Sequence, residues 1–171
     1  EDYLNEYMQK TEKVIYTPGT RGNIFDRNGN VLAYNELAYS VAVQDTGAYQ
    51  TAQERNAMLL RLVRILEKHG ETVEGEFEVG LDENGEMVYT TSSESARRRF
   101  LRDYYNLTTA DDLDKDGKNP SGITAREAFE GKFTEYRMDS IVDENGNPVV
   151  LSDETALNMV NIWYTMKLTE Y

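Results

Sequence analysis

The sequence predicts an α+β fold: β-hairpins forming an extended sheet region, a small helical lobe and a long C-terminal helix. Two observations carry this. Tetrapeptides ending in Asn-Gly recur at Asp26–Gly29, Asp82–Gly85 and Asp143–Gly146, each flanked by apolar residues. Asn-Gly favours the positive φ angles of a type I′ turn, whose twist suits a β-hairpin. Helical segments with their own start and stop signals lie apart from these hairpins and do not alternate with single strands, which argues against a βαβ architecture. The turn spacings differ and the intervening segments share no pattern, so the repetition is one of turn chemistry and not of a solenoid.

Residues 1–13, EDYLNEYMQKTEK, are polar with Tyr3, Leu4, Tyr7 and Met8 at helical spacing, the pattern of a short amphipathic helix or a frayed lead-in. Val14, Ile15 and Tyr16 open an extended region. The first hairpin joins Ile24 and Phe25 to Val31 and Leu32. In LAYSVAV, Leu37, Tyr39, Val41 and Val43 alternate with small or polar neighbours, as in a half-buried strand. The clearest helix follows. Thr51 and Glu54 fit a capping box, Met58, Leu59, Leu62, Val63, Ile65 and Leu66 form an apolar stripe, and Gly70 stops the helix after Lys68 and His69. The second hairpin joins Phe77 and Val79 to Met87, Val88 and Tyr89. A second helix spans about 93–104 with Phe100, Leu101 and Tyr104 inward. Residues 108–122 are acidic and carry Gly and Pro, which reads as a loop. A third helix starts at Thr124, capped by Glu127, and stops near Gly131. The third hairpin joins Ile141 and Val142 to Val149, Val150 and Leu151. The last helix runs from about Asp153 to the end, with Leu157, Val160, Trp163, Tyr164 and Met166 as its apolar members.

At 171 residues the chain suits one domain, or one domain with a small lobe. A formal net charge of −13 repels phosphate backbones and anionic lipid, so nucleic acid is not an expected partner. Arg97, Arg98 and Arg99 do not reverse this, because successive helical residues point in different directions. Without Cys there are no disulfides, thiolate metal sites or Cys nucleophiles, and the redox compartment stays undetermined. No apolar stretch approaches the ~20 residues of a membrane span. The first residue is Glu and no signal peptide is visible, so the chain reads as trimmed, with any anchor outside it.

Catalytic patterns are missing. No Ser is followed three residues on by Lys, Lys-Thr-Gly does not occur, and the lone imidazole, His69, lies where a helix end needs its carbonyls capped. Neither a P-loop nor a dinucleotide-binding Gly pattern is present, and no cofactor is implied. Among 31 acids a hydrolytic carboxylate pair is conceivable, but most acids belong on a solvated surface. The sharpest metal candidate is Asp112, Asp114 and Asp116 with Gly117, which copies the first half of a calcium loop. It then departs: Asn119 stands where an apolar residue belongs, Pro120 follows, and Ile123 replaces the bidentate Glu. A solvated acidic loop is the plainer reading. The 12 Tyr could stack on sugars, with core and sheet packing as the simpler use.

The stretch RGNIFDRNGNVLAYN resembles the first motif of the N-terminal module of class B penicillin-binding proteins, the peptidoglycan transpeptidases. It matches at Arg21, Gly22, Ile24, Asp26, Arg27, Asn28, Gly29, Leu32 and Ala33. The order of strand, helix, hairpin, helix and long final helix is also similar, although residues 108–122 align with no family element. The resemblance implies a non-catalytic pedestal, or dimerisation domain, over residues 1–171. Residues 1–16 would be a juxtamembrane lead-in and residues 45–135 a head lobe, with the transpeptidase domain and its Ser-x-x-Lys and Lys-Thr-Gly motifs absent. Its implied location is the extracytoplasmic face of the bacterial membrane, anchored by a helix outside this chain. The implied partners are its own transpeptidase domain, other cell-wall synthesis membrane proteins and a second copy of itself. On the residues alone, Ile24 and Leu32 can pack into a core, and Gly22 permits a close approach or an unusual φ. The resemblance implies that Arg21, Asp26 and Arg27 form an ion-pair network clamping the two domains. The competing reading is an independent extracytoplasmic glycan- or peptide-binding module, with calcium held by the 112–117 loop.

Overall fold

The computed structural model describes residues 22–35, 41, 43, 48–142 and 147–168; of Asp116 it describes the backbone alone. The expected lead-in helix, most of the 37–43 strand and the turn at 143–146 lie outside the described residues. The architecture is α+β, with two separate antiparallel ribbons and four α-helices among the described residues. Strands β1 (Ile24–Phe25) and β2 (Val31–Ala33) form the first ribbon, and β3 (Val79–Leu81) and β4 (Met87–Tyr89) the second. The helices are α1 (Ala52–His69), α2 (Glu94–Tyr104), α3 (Ala125–Glu135) and α4 (Asp153–Leu168). Residues 1–41 form one compact unit and residues 42–171 another.

The larger unit is built around α4. Helix α1 has the expected start and stop. Thr51 Oγ1 accepts the Glu54 amide at 3.2 Å and Glu54 Oε2 accepts the Thr51 amide at 3.1 Å. Gly70 closes the helix at φ 70°, a left-handed conformation that glycine adopts without a Cβ penalty. The buried stripe is narrower than the sequence suggested. Leu59, Leu60 and Val63 face the core, Met58, Leu62 and Leu66 are half-buried, and Ile65 is exposed. Asn56, one turn ahead on the buried stripe, has 0% of its surface accessible.

Aromatic residues fill the centre. Phe77 meets Phe100 and Tyr164 edge-on at ring-centroid distances of 5.5 and 5.2 Å. Trp163 stacks on Tyr136 at 4.9 Å and 6°, and the Arg55 guanidinium lies 4.9 Å from the Trp163 ring. Lys132 is buried, with Nζ 2.6 Å from Glu135 and 4.5 Å from the Tyr104 ring centroid. The ammonium is thereby compensated by one carboxylate and an aromatic face, as a buried charge requires.

Two glycines mark close approaches. A Cβ on Gly75 would collide with Asn161 and Thr165 of α4. Those two side chains hold the passing chain: Thr165 Oγ1 accepts the Glu76 amide at 2.8 Å and Asn161 Oδ1 the Phe77 amide at 3.1 Å. Gly131 does not stop α3, which continues to Glu135. The Tyr104 hydroxyl packs where its Cβ would stand, so this glycine makes room instead of ending a helix. The third hairpin is reduced, among the described residues, to one bridge between Val142 and Pro148, with the Val149 amide bound to Ile141 O at 2.9 Å. Proline has no N–H to extend the ladder.

Candidate functional site

The nine motif positions lie in the β1–β2 ribbon, except Arg21, which is outside the described residues. Ile24 pairs with Ala33 and Phe25 with Val31, with an irregularity between the two pairs. The Gly29 amide donates to Asp26 O at 3.1 Å and the Asp26 amide to Asn30 O at 2.9 Å. Only Gly29 in this turn has a positive φ, at 86°. The turn is therefore not type I′, which needs two positive φ angles. It is a three-residue connection closed by a left-handed glycine.

Asp26 organises that turn. Its Oδ1 accepts the Asn28 and Asn30 amides, each at 2.8 Å, and its Oδ2 accepts Asn30 Nδ2 at 2.7 Å. The Asn30 side chain first, then these amides, hold its carboxyl below the usual carboxylate range. The second hairpin repeats the device. Asp82 Oδ1 accepts the Asn84 and Glu86 amides at 2.8 Å, and Gly85 has φ 80°. Its carboxyl is also lowered, mainly by the Glu86 amide. The recurring Asp-x-Asn-Gly signature thus encodes a side-chain-closed turn, and the leading Asp is part of the signal as much as the Asn-Gly pair.

Both Asp26 oxygens accept hydrogen bonds within the turn; Arg27 is exposed with no ion-pair partner among the described residues, and Arg21 lies outside them. Two expectations are revised. Ile24 and Leu32 do not enter a core: they are 60% and 67% exposed, and Phe25 and Val31 are exposed with them. Gly22 has neither a positive φ nor a heavy atom near the place of a Cβ. What the motif builds is a short ribbon, shaped by Asp26, Asn28 and Gly29, that presents large apolar side chains.

The family model for the penicillin-binding protein dimerisation domain matches residues 16–127, more than half of the chain. The chain belongs to that family. No curated protein and no solved structure matches it. A dimerisation domain is not itself catalytic, which agrees with the absence of a Ser-x-x-Lys sequence. No helix among its described residues is long and apolar enough to cross a membrane.

Elsewhere in this dimerisation domain, Asp112 and Asp114 of the calcium-like loop are engaged with their own chain. Asp112 accepts Lys115 Nζ at 2.6 Å and Thr109 Oγ1 at 3.0 Å. Asp114 accepts the Ser121 amide at 2.7 Å and lies 3.9 Å from Arg98. Both carboxyls are lowered, Asp112 chiefly by Lys115 and Asp114 chiefly by the Ser121 amide. Two short 3₁₀ turns, Ala110–Asp112 and Lys115–Gly117, shape this segment. Among the described residues no three His, Asp or Glu side chains converge as metal ligands would. The three arginines diverge: Arg97 leans over Tyr89, Arg98 donates to Ala110 O at 2.9 Å, and Arg99 turns back to Ser95 O. His69 sits exposed in the last turn of α1.

Asp26→Ala is expected to open the β1–β2 ribbon, read as loss of the cross-strand contacts between Phe25 and Val31 in NMR spectra. The same ribbon should loosen on acidification. The carboxyl of Asp26 is lowered in the folded state, so its contribution is full above the ordinary aspartate value of about 3.9 and is lost as pH falls through the folded value. An Asp26 carboxyl titrating at or above the ordinary value would contradict this.

Proposed function

We propose that this dimerisation domain is the non-catalytic pedestal of a class B penicillin-binding protein, and that the β1–β2 ribbon is the surface by which it seats and orients the transpeptidase domain. The observation that carries this is the exposure of Ile24, Phe25, Val31 and Leu32 on a two-stranded ribbon. Isolated two-stranded ribbons are marginal in water, and contiguous exposed apolar side chains mark interaction sites. The family match supports the pedestal reading, and the motif resemblance supports the choice of this ribbon. In this reading apolar packing at the ribbon, flanked by the exposed Arg27, acts beside the ion-pair clamp expected from the sequence. The pedestal would hold the transpeptidase above the extracytoplasmic face of the membrane, contact other cell-wall synthesis proteins, and be open to pairing with a second copy. No observation favours the calcium-dependent binding module, since Asp112 and Asp114 already have partners.

The test is binding of this chain to the transpeptidase domain of its parent protein. A Phe25→Ser, Leu32→Ser double variant is expected to weaken that binding by tenfold or more, the scale of losing about 1.4 kcal/mol or more at an interface centre. Binding unaffected by the double variant would remove the ribbon from the interface. The isolated chain is also expected to form no covalent adduct with a β-lactam, checked by intact-mass spectrometry.

A further inference from the structure

The two described Asp-x-Asn-Gly turns share their backbone hydrogen bonds but differ in two respects that bear on their chemistry. In the second, Asn84 Nδ2 is held on Asp82 Oδ2 at 3.4 Å, and the strands are pinned by buried Val79 and Met87. In the first, the Asn28 carboxamide meets no hydrogen-bond partner among the described residues, and every residue of β1 and β2 is exposed. We propose that Asn28-Gly29 is a site of spontaneous deamidation and β-aspartyl conversion, and that it reacts ahead of Asn84-Gly85.

The reaction needs no enzyme and no redox partner. The Gly29 amide loses its proton to solvent base and its nitrogen attacks Cγ of Asn28. A C–N bond forms, the Cγ–Nδ2 bond breaks, and the carboxamide nitrogen leaves as ammonia. Water then opens the five-membered imide at either carbonyl, giving an aspartate at position 28 or a backbone rerouted through its β-carbon. Glycine is the neighbour that least hinders this attack, because no side chain shields its nitrogen.

In both folded turns the attacking nitrogen is occupied: the Gly29 amide donates to Asp26 O at 3.1 Å and the Gly85 amide to Asp82 O at 3.0 Å. Each turn must therefore open before it reacts, and the rate follows the cost of opening. A ribbon with no buried strand residue opens more readily than one anchored in a core. Conversion at Asn28 by the β-linked route adds a backbone atom to the turn and a charge beside Asp26. The two amides that bind Asp26 Oδ1 can then no longer converge on it, and the ribbon loses its register.

The experiment incubates the intact chain at mildly alkaline pH and physiological temperature. β-Aspartyl linkages are mapped by enzymatic methyl labelling and peptide mass spectrometry, with the urea-unfolded chain as reference for the intrinsic chemistry. The expected result is similar conversion at the two sites in the unfolded chain and several-fold faster conversion at Asn28 than at Asn84 in the native one. Asn28→Ser removes the label from that peptide and confirms its position. Native conversion at Asn84 as fast as at Asn28, or no native conversion at Asn28 while the unfolded chain converts, would overturn the proposal.

Discussion

Replacing Trp163 with alanine is expected to destabilise the larger unit by about 3–5 kcal/mol, the cost of emptying a large aromatic site in a packed core. Trp163 is 4% exposed and ties three parts of the structure together. It belongs to α4, its ring stacks on Tyr136 just beyond the end of α3, and the Arg55 guanidinium of α1 lies against it. The variant loses the buried area, the aromatic stack and the cation–π contact at once. Urea unfolding followed by circular dichroism measures the loss, since the sole tryptophan is removed. Trp163→Phe keeps a ring in the site and should recover part of it. A loss below about 1 kcal/mol, the size of an ordinary substitution, would show that the site collapses freely.

The helices were legible where local chemistry fixes them. Thr51 with Glu54 and Thr124 with Glu127 cap helices as their sequence spacing implies, because capping involves neighbours within one turn. The positions of the first two hairpins were legible for the same reason, but their turn type was not. Asn-Gly alone suggests type I′, whereas the carboxylate two residues earlier gathers amides and selects another geometry. Gly131 was misread because a helix stop and a close helix contact leave the same residue in the sequence. Only the position of Tyr104 separates them.

The site was half legible. The motif located the ribbon, yet the role of each side chain depended on what the fold left uncovered. Ile24 and Leu32 look like core residues by type, and nothing in their spacing says that the ribbon lacks a third strand or a covering helix among the described residues. The role of Asp26 as acceptor of the Asn28 and Asn30 amides was not read from the sequence, because charge is visible there and converging backbone amides are not.

Asn56 is the buried polar residue that the sequence did not single out, and it supports the second strong expectation. The signal was present: Asn56 stands three, four and seven residues before Leu59, Leu60 and Val63 on the buried stripe of α1. Its Nδ2 donates to Tyr136 O at 2.9 Å and to Arg137 O at 3.2 Å. Those carbonyls lie where the chain leaves α3 through Arg137 at φ 55°, so Asn56 fastens α1 to that exit. Asn56→Asp places a carboxylate against two carbonyl oxygens with no water to solvate it. At neutral pH the expected loss is about 3–5 kcal/mol, the scale for an uncompensated buried charge.

The pH dependence identifies the cause. Burial and the facing carbonyls raise the folded-state pKa of the new carboxyl above the unfolded value of about 3.9. The folded variant then binds more protons than the unfolded one between those values, so the penalty relative to wild type grows as pH rises through that window and shrinks below it. In acid the neutral carboxyl regains one O–H donor for Tyr136 O. Asn56→Leu removes the same donors without adding a charge. It should cost about 1–3 kcal/mol for the unsatisfied carbonyls at every pH. Parallel pH profiles for the two variants, measured as differences from wild type, would mean that solvent reaches this site and that the helix exit is not sealed by Asn56.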